Sequence, residues 1–225
     1  MGLVPFGNTA AAFEKAIELR APMLEFDVRR LGDNTLVTYH DSHLGAAPLA
    51  ALNWPNFHAA TRHLGFEALT LGQTLDLCRG RIAVDVELKE VGYESRVTRA
   101  LEEQMPAGDA IAKSFHEPAV LALKAAAPAL RTGLLLGDAI RGPRDLARAL
   151  TPEAAIRRTR PDFVAPGLQS LRLGMLGRLR RVGLPIYVWT VNDPATMRAL
   201  VAAGVTGLIT DRPDLARETF GGSAA

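Results

Sequence analysis

The sequence has little of what marks several large classes of protein. Among its 225 residues there is one cysteine, Cys78, which excludes an internal disulfide and leaves no partner for a cysteine-based zinc site. No apolar run approaches the roughly 20 residues that a membrane-spanning helix needs. The first residues also lack the basic start of a signal peptide. We therefore expect a cytoplasmic protein without a membrane span.

Neither sign of charge is in large excess. The net charge is only +2, and the lysines among the 26 basic residues are Lys15, Lys89, Lys113 and Lys124. The sequence contains no block of lysine and arginine of the kind that forms a nucleic-acid-binding arm, so we predict no nucleic-acid partner. Because nearly all basic residues of this chain are arginine, a lysine is a candidate for a specific role. Lys89 is the strongest of these candidates.

The order of predicted elements indicates an α/β barrel. After residue 80, strands and helices alternate with short connections, which predicts a parallel sheet covered by helices. The predicted parallel strands number about seven, together with one hairpin partner, whereas a TIM (β/α)8 barrel has eight. No repeat or linker divides the chain, so we expect residues 1–225 to form a single barrel domain.

Several local elements can be placed from the sequence. Thr9 and Thr70 each stand before a run with helical spacing and are predicted to cap helices. A further helix is predicted over Arg144 to Leu150. By contrast, residues 46–64 contain two prolines and are predicted to be irregular.

A β-hairpin is predicted near the start of the chain. Met23 to Val28 alternates, so that Glu25 and Asp27 share one face of a strand. A turn signal at residues 32–34 separates this strand from a second one. If the turn is centred between Asp33 and Asn34, cross-strand pairing places His40 opposite Asp27.

These side chains can support metal and acid–base chemistry. Two carboxylates on an inner face need a positive partner, and a divalent cation is a natural one, although a solvent-facing edge would also explain the pattern. A histidine beside Asp27 is a candidate general acid or base, and the alternative is a histidine that pairs with Asp27 for structure alone. Glu87, near the end of the strand Ile82 to Leu88, is a candidate third ligand. Lys89 can bind a phosphate oxygen or form an ordinary ion pair.

Taken together and in order, the motifs resemble the glycerophosphodiester phosphodiesterase family. They are Glu25-x-Asp27, His40-Asp41 and Glu87-Leu88-Lys89, flanked by Asn8-Thr9, Ser114-Phe115, Trp189 to Asn192 and Gly207 to Asp211. The resemblance implies a TIM barrel that hydrolyses glycerophosphodiesters to glycerol 3-phosphate and an alcohol.

The same resemblance implies roles for individual residues. A divalent cation, Ca²⁺ or Mg²⁺, would be held by Glu25, Asp27 and Glu87, and His40 would be one of two acid/base histidines. Trp189 would lie near the glycerol moiety, although core packing explains a tryptophan equally well.

One part of the family pattern is absent from the sequence. The pattern opens with a strand ending in His-Arg-Gly, followed by Glu-Asn-Thr, but here Gly7 precedes Asn8-Thr9 and no histidine or arginine lies upstream. The first barrel strand, one catalytic histidine and a phosphate-binding arginine are therefore expected to be missing. A start further upstream would explain this gap. So would a pseudoenzyme that binds metal and phosphodiester without turnover, or replacement of the histidine by His43 or His116. A phosphodiesterase of the same fold that acts on lysolipids is a further alternative.

Overall fold

A computed structural model describes residues 3–137 and 151–221, so the helix predicted over Arg144 to Leu150 lies outside the described residues. The strands are β1 (Met23–Arg30), β2 (Leu36–Thr38), β3 (His43–Leu44), β4 (Ala47–Pro48), β5 (Ala83–Leu88), β6 (Ala110–Ser114), β7 (Arg131–Leu136), β8 (Phe163–Pro166), β9 (Tyr187–Val188) and β10 (Gly207–Leu208). The α-helices are α1 (Ala10–Glu18), α2 (Trp54–His63), α3 (Leu71–Cys78), α4 (Glu94–Gln104), α5 (Glu117–Ala126), α6 (Pro152–Thr159), α7 (Met175–Val182), α8 (Pro194–Ala202) and α9 (Pro213–Phe220).

Seven parallel strands follow one another within residues 3–137 and 151–221, as the sequence predicted. Strands β1, β5, β6, β7 and β8 are neighbours in one sheet, and the hairpin strand β2 pairs with β1 on its other side. Parallel bridges from Val164 to Ile186 and from Gly167 to Trp189 continue this order to β9, which pairs with β10. Each strand lies beside its successor with a helix between them, which is the succession of a TIM barrel.

The strands separate an apolar outer face from a polar inner one. Leu24, Phe26 and Val28 of β1 lie in the same buried cluster as Val84 and Val86 of β5, together with residues of α1, α3 and α4. Because side chains alternate along a strand, Glu25 and Asp27 then face the barrel interior. The predicted alternation of β1 is confirmed, and it brings charged groups to the inside.

Two predicted helix caps are confirmed, and one predicted loop was wrong. The Thr9 hydroxyl accepts a hydrogen bond from the Ala12 amide, and Thr70 forms a capping box with Gln73. Helix α2 occupies most of the stretch that was predicted to be irregular. Its N-cap is Asn53, and its proline lies in the first turn, where the missing amide hydrogen is harmless and the fixed φ favours a helix start.

The predicted hairpin forms, but its predicted register was wrong. Val28 pairs with Thr38, and the amide of Tyr39 donates to the carbonyl of Asp27 at 3.1 Å, so Tyr39 rather than His40 lies beside Asp27. The loop has three residues, 32–34, because the Leu31 amide donates to the Thr35 carbonyl and Asn34 adopts a φ of 68°. A three-residue loop is centred on a residue instead of between two, which shifts the pairing by one position.

The amino-terminal end of the barrel interior is closed by aromatic packing around Gly133. Phe163 is fully buried and packs edge-on against Tyr187, with ring centroids 5.1 Å apart. A Cβ atom at Gly133 would lie 2.1 Å from the Phe163 ring, which is fully buried in a close-packed interior.

We expect Gly133→Ala to lower the free energy of unfolding by about 1–3 kcal/mol because the added methyl group overpacks this layer. Urea unfolding measures the change. The control is Gly177→Ala in α7, where a Cβ meets nothing within 4 Å and the substitution should stabilise the helix by up to ~1 kcal/mol. Equal stability of the two variants would contradict the packing assigned to Gly133.

No helix in the described part of the chain combines the length and the hydrophobicity needed to cross a membrane.

Candidate active site

Three carboxylates from two adjacent strands meet inside the barrel. Glu25 and Asp27 lie on β1 and Glu87 lies on β5, where it pairs in register with Asp27. Oxygen atoms from these three residues, which we call the carboxylate cluster, lie within 4.8 Å of one another. The sequence predicted this set, and the parallel register explains how residues 60 positions apart come together.

The surroundings of the carboxylate cluster oppose the ionisation of all three groups at once. Burial, followed by the charge of Asp27, raises the pKa of Glu87 to about 7. Burial likewise raises the pKa of Glu25 to about 7, assisted by the charges of Asp27 and Asp85 and opposed by Lys113. Glu87 Oε1 is buried, and it meets the Lys89 ammonium there. Like charges in a low-dielectric interior disfavour joint ionisation, so the cluster favours a bound cation.

The side chains of Lys89 and Asn8 contact the carboxylate cluster directly. Lys89 Nζ lies 3.0 Å from Asp27 Oδ1 and 2.6 Å from Glu87 Oε1. Burial by itself would lower the pKa of Lys89, but these two carboxylates outweigh that effect and raise it. Asn8 donates through Nδ2 to Asp27 Oδ2 at 2.8 Å and accepts from the Asp27 amide at 2.9 Å, which fixes that carboxylate.

A second lysine lies deeper in the barrel, and the sequence reasoning gave it no role. Lys113 of β6 is 1% exposed, and its Nζ lies 2.5 Å from Asp85 Oδ2 and 3.0 Å from Glu25 Oε1. A signal was available in the sequence, because a lysine within an otherwise apolar strand must either face solvent or meet buried carboxylates.

His40 lies on the rim of the barrel instead of beside the cluster. Its side chain is 68% exposed, and Nδ1 lies 2.8 Å from Asp41 Oδ1. An open cleft of about 570 Å³ surrounds it, lined by Arg29, Tyr39, Asp41, Ser42, His43 and Gly45. Arg29 holds this segment, since Nε donates to the His40 carbonyl at 2.9 Å while Nη1 lies 3.0 Å from Glu90 Oε1.

The two other histidines considered from the sequence also lie near strand ends. His43 is exposed, shares the cleft with His40 and contacts the Ser42 hydroxyl through Nδ1 at 3.0 Å. His116 follows β6, and its Nε2 lies 3.1 Å from the carbonyl oxygen of Lys89. Because a carbonyl can only accept, Nε2 must carry the proton in that contact.

An aromatic pair stands at the carboxyl ends of β6 and β9. Trp189 donates through Nε1 to the Ala165 carbonyl at 2.7 Å, and its ring meets Phe115 edge-on with centroids 5.6 Å apart. Trp189 is only half-buried, so part of the ring remains available for contact. The sequence singled out Trp189, whereas Phe115 was noted only as part of a flanking motif.

The carboxylate cluster has the size of a divalent cation site. Oxygen ligands of Ca²⁺ lie 2.3–2.6 Å from the ion, so two of them are separated by no more than about 5 Å. The separations of up to 4.8 Å within the cluster meet that limit, and the donor atoms are the oxygens that Ca²⁺ and Mg²⁺ prefer.

A TIM barrel that gathers acidic and basic side chains at the carboxyl ends of its strands has the architecture of an enzyme. The model of the glycerophosphoryl diester phosphodiesterase family matches residues 2–63 and 80–215. The chain therefore belongs to the glycerophosphoryl diester phosphodiesterase family, whose members are phosphoric diester hydrolases. The resemblance drawn from the sequence motifs is confirmed.

Individual relatives cover nearly the whole chain. A glycerophosphodiester phosphodiesterase of Caldanaerobacter subterraneus subsp. tengcongensis is 24% identical, over 92% of this chain and 89% of its own length. The crystal structure of a glycerophosphodiester phosphodiesterase from Agrobacterium tumefaciens matches with a TM-score of 0.72 and 25% identity, over 92% of this chain and 91% of that one.

A more distant structure supports the fold. A phosphodiesterase of Oleispira antarctica, solved in complex with the product sn-glycerol-3-phosphate, is 17% identical with a TM-score of 0.78, over 95% of this chain and 91% of that one. The predicted TIM-type α/β fold is thereby confirmed.

Proposed function

We propose that this chain, acting as one domain over residues 1–225, hydrolyses glycerophosphodiesters to glycerol 3-phosphate and an alcohol with the help of a divalent cation, Ca²⁺ or Mg²⁺. The observation that carries the proposal is the carboxylate cluster of Glu25, Asp27 and Glu87, whose oxygens lie within 4.8 Å inside a barrel of this family. The glycerol 3-phosphate bound to the Oleispira antarctica phosphodiesterase supports the substrate class.

Each part of the site would meet one need of the reaction. The cation would neutralise charge that develops on the phosphoryl oxygens. Lys89, whose ammonium already lies at the cluster, would bind a phosphate oxygen as a point charge. His40 would transfer a proton at the rim of the site, where its exposed ring can reach substrate. The exposed part of Trp189, supported by Phe115, would pack against the glycerol.

The test combines binding with product release. Calorimetric titration with Ca²⁺ and Mg²⁺ measures binding to the cluster, and an enzyme-coupled assay measures glycerol 3-phosphate released from glycerophosphocholine. We expect release with the preferred ion, loss of release in EDTA and recovery when the ion is restored.

The possible failures separate the alternatives. Binding of cation and glycerophosphocholine without release would identify a pseudoenzyme. Hydrolysis of lysophospholipids in place of glycerophosphocholine would identify a lysolipid phosphodiesterase. Release that persists in EDTA, with no cation bound, would overturn the metal assignment.

A further inference from the structure

The buried Lys113 contacts the carboxylate cluster from the side opposite the barrel opening. Its ammonium is held between Glu25 Oε1, at 3.0 Å, and Asp85 Oδ2, at 2.5 Å. The register of β5 and β6 explains this placement, because Lys113 pairs with Glu87 and extends its side chain inward beside Asp85. Glu25 is thereby fixed through one carboxylate oxygen, and its second oxygen is left for other partners.

We infer that Lys113, anchored by Asp85, is a positioning residue that holds Glu25 in place to bind the cation. This inference rests on the cation site proposed above. A glutamate side chain has three rotatable bonds, and Glu25 is 29% exposed on its side chain, so packing alone leaves it freedom to turn away. The contact with Lys113 removes that freedom at the Glu25 carboxylate.

The charges of the barrel interior agree with this role. In the described part of the chain, the ion pairs at the cluster join four carboxylates, from Glu25, Asp27, Asp85 and Glu87, with two ammonium groups, from Lys89 and Lys113. With all six groups ionised, four negative and two positive charges leave a net charge of −2, which one divalent cation neutralises. Asp85 and Lys113 contribute zero to this sum, so the pair can be removed without changing the net charge.

A purely structural ion pair is the competing explanation, and its energetics are weak. Desolvation of two buried charges offsets most of their attraction, so replacing such a pair by neutral groups is often tolerated or even stabilising. Asp85 also leaves Oδ1 buried and without a hydrogen bond. The Asp85–Lys113 pair therefore contributes little stability and leaves Asp85 Oδ1 without a hydrogen-bond partner among the described residues. Its contact with Glu25, a proposed cation ligand, explains the pair better.

The experiment removes the pair as a unit. In the double variant Asp85→Asn with Lys113→Met, the net charge of the interior is preserved and Glu25 loses its anchor. Calorimetric Ca²⁺ titration of the full chain should show binding weakened about 10–100-fold, which is the usual effect of removing the groups that hold metal ligands in place. Urea unfolding of the same samples shows whether the fold is intact.

The matched control removes an ion pair elsewhere. Lys124 Nζ and Asp162 Oδ1 lie 2.9 Å apart outside the carboxylate cluster. The double variant Lys124→Met with Asp162→Asn should lose stability and keep the wild-type Ca²⁺ affinity.

Each outcome decides between the two explanations. Wild-type Ca²⁺ affinity in the Asp85→Asn, Lys113→Met variant would overturn the positioning role. Equal losses of affinity in both double variants would also overturn it, since stability alone would then be the cause. If the wild-type protein itself binds neither Ca²⁺ nor Mg²⁺, the proposed cation site fails and the inference fails with it.

Discussion

Glu87→Gln should lower kcat/KM for glycerophosphocholine by roughly 1,000-fold or more and weaken Ca²⁺ binding sharply. Glu87 is one of three carboxylates that meet inside the barrel, so its loss removes one of the three side chains that would hold the cation. A bound cation contributes several kcal/mol to stabilising charge in the transition state, and each 1.36 kcal/mol corresponds to a factor of ten in rate.

The same substitution should not destabilise the protein in EDTA. Burial and the charge of Asp27 raise the pKa of Glu87 to about 7 in the folded chain, above the 4.5 of an exposed glutamate. The folded state therefore holds more protons than the unfolded state between these two pH values, and cation-free stability falls as pH rises through them. Glutamine carries no charge, so at pH 8 in EDTA we expect the variant to melt at a temperature at least as high as the wild type, with a gain of about 2–4 °C for each 1 kcal/mol.

Thermal melts with EDTA and with excess Ca²⁺ give the measurement. The wild type should gain more from Ca²⁺ than the variant does, so that the order of stability reverses between the two conditions. Asp76→Asn is the control, because this carboxylate pairs with Arg79 on the surface. A Glu87→Gln protein with normal turnover, or with an unchanged response to Ca²⁺, would remove Glu87 from the cation site.

The parts of the fold that the sequence predicted are those governed by local rules. Alternation placed Glu25 and Asp27 on the inner face of β1, and N-cap chemistry located the starts of α1 and α3. Helix α2 escaped prediction because its proline was interpreted as a breaker, whereas in the first turn it starts a helix.

The site was harder to predict because its geometry depends on register. A single residue in the length of the 32–34 loop decides whether Tyr39 or His40 lies beside Asp27, and the sequence allows both. Lys113 gained its role only when β6 was placed next to β5, since its contacts with Glu25 and Asp85 cross between strands. Pairing between distant segments is not encoded in any local pattern.

His40→Gln should lower kcat by about 10²–10⁴-fold while Ca²⁺ affinity stays close to that of the wild type. General acid or base groups contribute factors of this size. His40 is exposed at the cleft and hydrogen-bonded to Asp41, and it is not among the three carboxylate residues that would hold the cation. The corrected hairpin register supports this separation, because the peptide amide of Tyr39, and not the His40 ring, contacts Asp27.

The control for His40 lies in the same cleft. His43 is also exposed and lies three residues further along the chain. Within the described residues, its ring forms a polar contact with the Ser42 hydroxyl. His43→Gln should therefore change kcat by less than about threefold, an effect of well under 1 kcal/mol. If His43→Gln abolishes turnover and His40→Gln does not, the proton-transfer role belongs to His43.

A substrate with a better leaving group then separates acid from base. A nitrophenyl phosphodiester releases an anion that needs no protonation, so loss of a general acid harms its hydrolysis much less than that of glycerophosphocholine. If the His40→Gln defect nearly disappears on the nitrophenyl substrate, His40 protonates the leaving oxygen. A defect of equal size on both substrates assigns His40 to activating the nucleophile. A variant that is unaffected on both would exclude His40 from proton transfer.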